Sequence, residues 1–458
     1  MLKVPAILDP GFAPLSVLLR EYSKDVKKYG KSNRFVCSIE RSHGHRTAWE
    51  TEVFPDGIED DRTATLFERV VKGMVWLYGG FRIRIAGSKA IYNRVVDAFR
   101  DGGSRSFDFH YMENVYEQPF EVLYVEDPEE IAHSIESPSN IGRHFDGCRI
   151  GFDAGGSDRK VSAVIDGEAV YSEEVVWHPK ITEDPDYHYG HILKAMRTAA
   201  SHMPRVDAIG VSSAGIYIDN QTKAASLFLA VPKELHERKV KNIYINVAKE
   251  FGNVPLVVCN DGDVTALAGA IGMEVGNVLG IAMGTSEAGG YVDENMNIMG
   301  WLNELAFVPI DGNPNAMVDE WSGDYGCGVK YFSQDGVIKL APAAGIELDE
   351  SLSPAEKLKV VQKEMENGNP EAAKIYETIG VYFGYTIAYY SLFYHIEHVL
   401  IMGRVTSGEG GALLIKKAQE VLNTEFPELA KQIQLNIPDE KIRRVGQSVA
   451  AASLPVIK

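Results

Sequence analysis

Four glycine-bearing segments, each closing an apolar run, hold the residues that could do chemistry. In IGFDAGGSDRK, Asp153 ends a strand-like run, and Gly155, Gly156 and Ser157 turn the chain back toward Lys160. Glycines let backbone N–H groups approach a phosphate, a hydroxyl adds a donor, and the carboxylate can hold magnesium through water. A lone Gly-Gly turn is also an ordinary β-turn. In VCNDGDVTALAGA, Asn260 and Asp261 end a run that an alanine-rich helix follows. A carboxylate placed there can take the proton of a hydroxyl as it attacks a γ-phosphate. Aspartate also caps helices, and the two jobs divide as Asp261 catalytic and Asp263 capping. GIAMGTSEAGGYV offers Gly284 and Thr285 on a second glycine-rich turn. HVLIMGRVTSGEGGALL sets Gly403, Ser407 and Gly408 between a strand and a helix, a junction suited to adenine and ribose.

The elements that must position these residues are short apolar runs bounded by glycine: RIGFDAGG, KVSAVID, DAIGVSSAG, LVVCND, VLGIAMGTS, GGYVD and HVLIMGR. They read as buried strands ending in functional loops, in an α/β unit that begins at Arg149. Before it, residues to about 145 form a unit of their own. RFVCSIER and HRTAWETEVF pair as strands across Ser42, His43, Gly44 and His45. TLFERVVKGMVWLYGG follows as a helix stopped by two glycines, then FRIRIAGS as a strand and KAIYNRVVDAFRDGG as a helix. SFDFHY and FEVLYVE read as two further strands, an order like that of a degenerate ribonuclease-H-like half. No helix-turn-helix fits, because strands occupy the places its helices would need. DPEEIAHSIESPSNIGRHFDG bridges the two parts as a polar segment.

Composition narrows the class. The 458 residues suit two or three domains, and 45% hydrophobic against 24% charged residues is ordinary for a soluble globular protein. With 64 acidic against 46 basic residues the net charge is −18, which argues against a nucleic-acid or anionic-membrane partner. Cys37, Cys148, Cys259 and Cys327 are far apart, so a reducing, cytoplasmic compartment is expected. The N-terminal MLKVPAILDPGF lacks the unbroken apolar run of a signal peptide. Ile379 to Ile396 is the most lipid-like stretch, but Thr386, His395 and seven aromatic residues make it a buried helix.

Taken in this order, the motifs from about residue 148 to the end resemble the ROK family of sugar kinases and sugar-responsive repressors. DAGGSDRK resembles the family's phosphate-binding Asp-x-Gly-Gly-Thr-x-x-Lys, and AIGVSSAGIYID its sugar-side Ile-Gly-Ile-Ser-x-Pro-Gly. WLNELAF stands where the family has Gly-Glu-Ile-Gly-His, IMGRVTSGEGG resembles its Gly-Gly-Gly-Val-Ser, and RRVGQSVAAAS its closing helix. The resemblance implies the two-lobed actin-like ATPase (ribonuclease H-like) α/β fold with an additional N-terminal α/β domain. It divides the chain into that domain over 1–145, a first lobe over 146–265 completed by a C-terminal helix over 440–458, and a second lobe over 266–439. It implies ATP and Mg2+ as cofactors and sugar phosphorylation, with Asp261 as general base. Asn260, Ser213, Gly215 and Glu304 would position the sugar. Gly155, Gly156, Ser157, Lys160, Gly284 and Thr285 would meet the phosphates, Gly403, Ser407 and Gly408 the nucleoside, and Asp153 magnesium.

Departures from the family pattern qualify the substrate. The family's structural zinc uses one His and three Cys, but the matching positions are Phe307, Glu320, Ser322 and Cys327, so no zinc is expected. Val329 replaces a sugar-binding glutamate, which leaves the sugar's identity open. In GTSEAGG, Ser286 and Ala288 add side chains, and Glu287 could bring negative charge near a triphosphate. The alternative is therefore a catalytically weak or inactive sugar or sugar-phosphate sensor acting through a protein partner. The aromatic run from Tyr382 to Tyr394 reads as core or homodimer contact, and His43 and His45 as surface histidines. Asp184, Asp186, His188 and His191 fall in what reads as a solvated loop near the sugar.

Overall fold

The computed structural model describes residues 2–136, 141–438 and 446–457. Where the sequence suggests three domains, the contacts gather into two compact units. Unit 1 takes Met1–Ser137, Ile281–Gly289 and Trp301–Ile437; unit 2 takes Pro138–Gly280, Gly290–Gly300 and Pro438–Lys458. Residues 1–137 thus share one unit with 301–437.

Unit 1 begins with helix α1 (Leu15–Tyr29), whose Leu15, Tyr22 and Val26 are buried at helical spacing. Strands β1 (Asn33–Glu40) and β2 (Arg46–Val53) form the expected antiparallel hairpin. Helix α2 (Asp60–Tyr78) is buried along nearly its whole length and stops at Gly79, with Gly80 behind it. β3 (Arg82–Ala86), α3 (Lys89–Ala98), α4 (Ser106–Tyr116) and β4 (Glu121–Tyr124) follow. SFDFHY is therefore the start of helix α4 and not a strand. Its buried Asp108, Met112 and Val115 recur at helical spacing, which the six-residue aromatic alternation conceals. The sheet order is β2-β1-β3-β4, with β1 antiparallel to β3 and β3 parallel to β4. A ribonuclease-H-like half would set the strand after the helix parallel to the first, so that expectation for the N-terminal residues is corrected.

Unit 2 does have that topology. β5 (Cys148–Ala154), β6 (Asp158–Ile165) and β7 (Glu168–Val176) run antiparallel as neighbours. Helix α5 (Pro185–Ala200) crosses to β8 (Ala208–Ser213), which pairs parallel with β5. The ribbon β9 (Ile216–Ile218) and β10 (Gln221–Ala224), the single turn α6 (Lys233–Leu235) and helix α7 (Ile243–Lys249) lead to β11 (Leu256–Asn260), parallel to β8. Helix α8 (Asp261–Met273) leaves the end of β11. The order β11-β8-β5-β6-β7 brings the ends of three parallel strands side by side. Phe152, Ile209, Val211, Ile192 and Tyr244 fill the core beneath them. TEDPDYHYGH is the start of α5 and not a loop: the Asp184 carboxylate accepts the Asp186 N–H as helix cap, and His188 is fully buried. Both residues serve the fold.

The division between units falls inside β12 (Val278–Met283) and β13 (Glu287–Val292). Helices α9 (Gln334–Leu340), α10 (Pro354–Glu366) and α11 (Pro370–Tyr390) precede β14 (His398–Met402), and α12 (Glu409–Glu425) and α13 (Pro427–Gln432) precede β15 (Gln434–Asn436). These strands form a sheet in the order β13-β12-β14-β15. The aromatic helix α11 is core of unit 1: the Tyr382 hydroxyl donates to Asp9, and the Tyr385 hydroxyl to Glu425. The last helix, α14 (Gln447–Ala452), returns to unit 2 and lies on β5 and β8. Residues 440–445 of the expected C-terminal helix, like 137–140 of the polar bridge, lie outside the described residues. Among the described residues no helix is long and apolar enough to cross a membrane. The four cysteines are free and buried.

Candidate functional site

In unit 2 the sheet delivers the predicted residues to one edge. Asp153 ends β5, Ser212 and Ser213 end β8, and Asn260 ends β11, so all four stand at the carboxyl ends of neighbouring parallel strands. Register sets Asp153 beside Ser212, whose hydroxyl donates to its Oδ1 at 2.8 Å. Burial pushes the Asp153 carboxyl up to about 6; the Ser212 hydrogen bond works against the rise, and the charge of Asp261 adds to it. Asp261 is the first residue of α8. Burial raises its carboxyl too, against the Gly262 N–H at 3.0 Å and the positive charge of Lys180. Two electrostatically linked carboxyls in a poorly solvated place supply oxygen ligands of the kind a divalent cation takes, while no group of three or more His, Cys, Asp or Glu gathers among the described residues.

Around this pair the roles sort differently from the sequence reading. Asn260 caps α8: its Oδ1 accepts the Gly262 N–H at 2.7 Å and its Nδ2 donates to the Gly215 carbonyl at 2.8 Å. Asp263 is not the cap; its Oδ1 accepts the Tyr291 N–H at 3.2 Å. Gly215 sits at φ +132°, where a Cβ would come within 2.6 Å of Ala225. The Ser213 hydroxyl is fully buried and shared with Tyr217 at 2.6 Å and Tyr244 at 2.9 Å. Burial, then Tyr244 and Asp261, keep the Tyr217 phenol far above its ordinary pKa and so neutral.

The first glycine turn is tied down by a residue the sequence reading passed over. Trp177 donates its indole N–H to the Gly155 carbonyl at 2.8 Å and its backbone N–H to the Ser157 carbonyl at 3.1 Å. Ser157 is exposed, and its hydroxyl reaches Asp158 at 3.1 Å. Lys160, expected to face the phosphates, leans between Asp158 at 3.8 Å and Glu174 at 3.9 Å. The cation nearest the glycines is Lys180: a Cβ on Gly156 would come within 2.9 Å of its Nζ. Gln447 of α14 braces Asp261 from behind, donating to its backbone carbonyl at 3.0 Å and to the Thr265 hydroxyl at 2.7 Å. The two consecutive serines that close β8 could have singled out Ser212; nothing local marks Lys180 or Gln447.

Unit 1 gathers the other candidates. The turn after β12 exposes Thr285 and Ser286, while the Gly284 carbonyl accepts the Gln334 N–H at 2.9 Å. Gly403, at φ +103°, lies against the backbone of Met283, so the third and fourth glycine motifs meet. Ser407 and Gly408 are exposed at the start of α12. Glu287 does not present charge to this surface. It is buried beside Leu305 and Gly328, neither carboxylate oxygen has a hydrogen-bond partner, and burial drives its pKa well up. Glu304 is held by α2, whose terminal carbonyls at Trp76, Leu77 and Tyr78 accept the N–H groups of Glu304, Asn303 and Leu302. Of the residues that the sequence resemblance sets at zinc-ligand positions, Phe307 packs tilted against Trp76, Glu320 pairs with Lys330, and the Ser322 hydroxyl donates to Asp319. Burial pushes the Cys327 thiol up to about 11.

No family model and no curated protein matches the chain. Solved structures do match in fold. A ROK hexokinase from Thermus thermophilus is 15% identical, over 67% of this chain and 97% of that one, with a TM-score of 0.52. A ROK-family transcriptional regulator, a homologue of the E. coli MLC protein, is 17% identical over 68% of this chain and 79% of that one, with a TM-score of 0.51. The chain has the two-lobed actin-like ATPase fold that these proteins share.

Proposed function

We propose that this protein is an ATP-dependent kinase acting on a hydroxyl of a sugar or sugar-like polyol. The observation that carries the reading is the pair Asp153 and Asp261, held at the ends of β5 and β11 on either side of β8 and electrostatically linked. Asp261, its carboxyl raised by burial, is a stronger base than an ordinary aspartate. It takes the proton of the acceptor hydroxyl as that oxygen bonds to the γ-phosphorus and the bond to the bridging β–γ oxygen breaks, releasing ADP. Asn260 fixes Asp261 and the Gly215 loop in one frame, so the acceptor meets a preset base. Magnesium, which Asp153 would hold through water, neutralises phosphate charge when bound. The reading assigns Gly155, Gly156, Ser157, Gly284 and Thr285 to the phosphates, Gly403, Ser407 and Gly408 to the nucleoside, and Glu304 to a sugar hydroxyl.

A sensor that binds sugar without turning it over is the second reading. The engaged Ser213 hydroxyl, with Phe307 and Val329 at polar family positions, favours it. ADP release with magnesium and ATP across hexoses, amino sugars and polyols separates the two. A kinase gives a sugar-dependent signal that falls by a factor of roughly 100 or more in Asp261→Asn. Sugar or nucleotide binding by folded protein without any release of ADP selects the sensor.

A further inference from the structure

Lys180 is the cation left over at the first glycine turn. It lies in the short helical turn Pro179–Ile181 that follows β7. Its Nζ stands over Gly156, and its charge reaches Asp261, yet among the described residues it makes no ion pair and no hydrogen bond. Its backbone, by contrast, is fixed. Trp177 staples the segment to the Gly155 and Ser157 carbonyls, the Tyr187 hydroxyl accepts the His178 N–H at 3.0 Å, and Thr182 donates to the His178 carbonyl at 2.6 Å. The buried His188 ring lies 3.0 Å from the Pro179 carbonyl. A free ammonium on a pinned backbone, above two glycines, is arranged to receive something negative.

The charge balance says what. Asp153, Asp158 and Asp261 surround the turn, and a triphosphate would add about four more negative charges. Lys160 is drawn toward Asp158 and Glu174. Arg159 is buried, and its charge bears on Glu173 and Tyr187. Among the described residues Lys180 is therefore the exposed cation over the turn without an ion pair. Its charge reaches Asp261, the residue assigned to the acceptor that attacks the last phosphorus.

We propose that Lys180 grips the terminal phosphoryl group of the nucleotide, neutralising it through its transfer. The inference rests on the kinase reading, since it presumes a nucleoside triphosphate at this turn. It makes Lys180 a direct phosphate contact, and the glycine at 156 the space its side chain needs.

The test is calorimetric binding of ATP and ADP, both with magnesium, to the full-length chain and its Lys180→Met and Lys180→Arg variants. Lys180 is exposed, so neither substitution endangers folding. Lys180→Met should lose about 10- to 100-fold in affinity for ATP and no more than about threefold for ADP, as expected for one charge-assisted phosphate contact. Lys180→Arg should restore most of the ATP affinity. Unchanged ATP affinity in Lys180→Met, or equal losses for ATP and ADP, overturns the assignment while leaving the kinase reading standing. A native chain that binds neither nucleotide overturns both.

Discussion

Asp153 illustrates how a site residue costs stability. The residue is 6% exposed, and burial pushes its carboxyl up to about 6, against an ordinary value near 4. A carboxyl raised in the folded state favours folding fully below its unfolded pKa, and that contribution is lost as pH rises through about 6. Asp153→Asn removes the titration while keeping an oxygen for Ser212. Without nucleotide or divalent ions, the variant should match the native chain near pH 4. It should exceed it by about 1–3 kcal/mol near pH 7.5, as urea unfolding at the two pH values would report. A gap that does not grow with pH would contradict the assignment of the raised pKa to this group. The residue scale is also where the sequence is most and least informative. Asp153, Asn260 and Asp261 announce themselves by their place after apolar runs. The division of labour between Asn260 and Asp263 does not, because each of Asn260, Asp261 and Asp263 is a residue type that can cap a helix. Lys180 is silent in sequence because its meaning comes from the register that carries the end of β7 past the Gly155–Ser157 turn.

At the scale of elements, glycine-bounded apolar runs located every strand of unit 2 that holds a candidate residue, because parallel strands buried on both faces are apolar throughout. Two kinds of element were harder to read. The alternating aromatics of SFDFHY imitate a strand over six residues, too short a window to separate periods of 2 and 3.6. The polar TEDPDYHYGH hides the start of α5, because its capping aspartate and exposed first turn look like a loop. Helix α14 shows what glycine does between elements. It lies on β5 and β8 where Gly151 and Gly210 present no Cβ, and an added methyl at either would run into the backbone of Ser448 or Ala451. Gly151→Ala should therefore cost about 1–3 kcal/mol by forcing the helix away, measured as a lowered urea midpoint with an unchanged slope. Since Gln447 braces Asp261, the same variant should lose activity beyond its loss of stability. Destabilisation with the remaining folded protein fully active would show that the brace is dispensable.

At the scale of the whole chain, the N-terminal residues are bound into unit 1 by buried charge. Asp324 receives Lys72 at 2.7 Å, Arg105 at 2.7 Å and Arg69 at 3.1 Å, and Arg105 also pairs with Glu68. All of these side chains are nine-tenths buried or close to it. Burial opposes the Asp324 charge, but Lys72, Arg69 and Arg105 outweigh it and hold the carboxyl well below the usual range. Lys72 Nζ also lies 3.8 Å from Cys327 Sγ. Loop 311–327 is tied to α2 by the Lys72–Asp324 ion pair and by the Arg69 guanidinium donating to the Tyr325 carbonyl, and the same helix fixes the backbone of Glu304 through its terminal carbonyls. The N-terminal residues thus brace loop 311–327 through buried charge. Removing one partner of such a network leaves its cations buried without a counter-charge, which is costlier than never having built it. Asp324→Asn should lower stability by about 3–5 kcal/mol at pH 7. Because the native carboxyl is depressed, its contribution is present above about pH 4 and lost as pH falls further, so the gap between variant and native chain should narrow in acid. Hydrogen exchange should show the loss as faster exchange in α2 and in residues 302–327 together. Exchange that quickens in the loop while α2 stays protected would mean that the network closes the loop on itself and that the N-terminal residues are not its anchor.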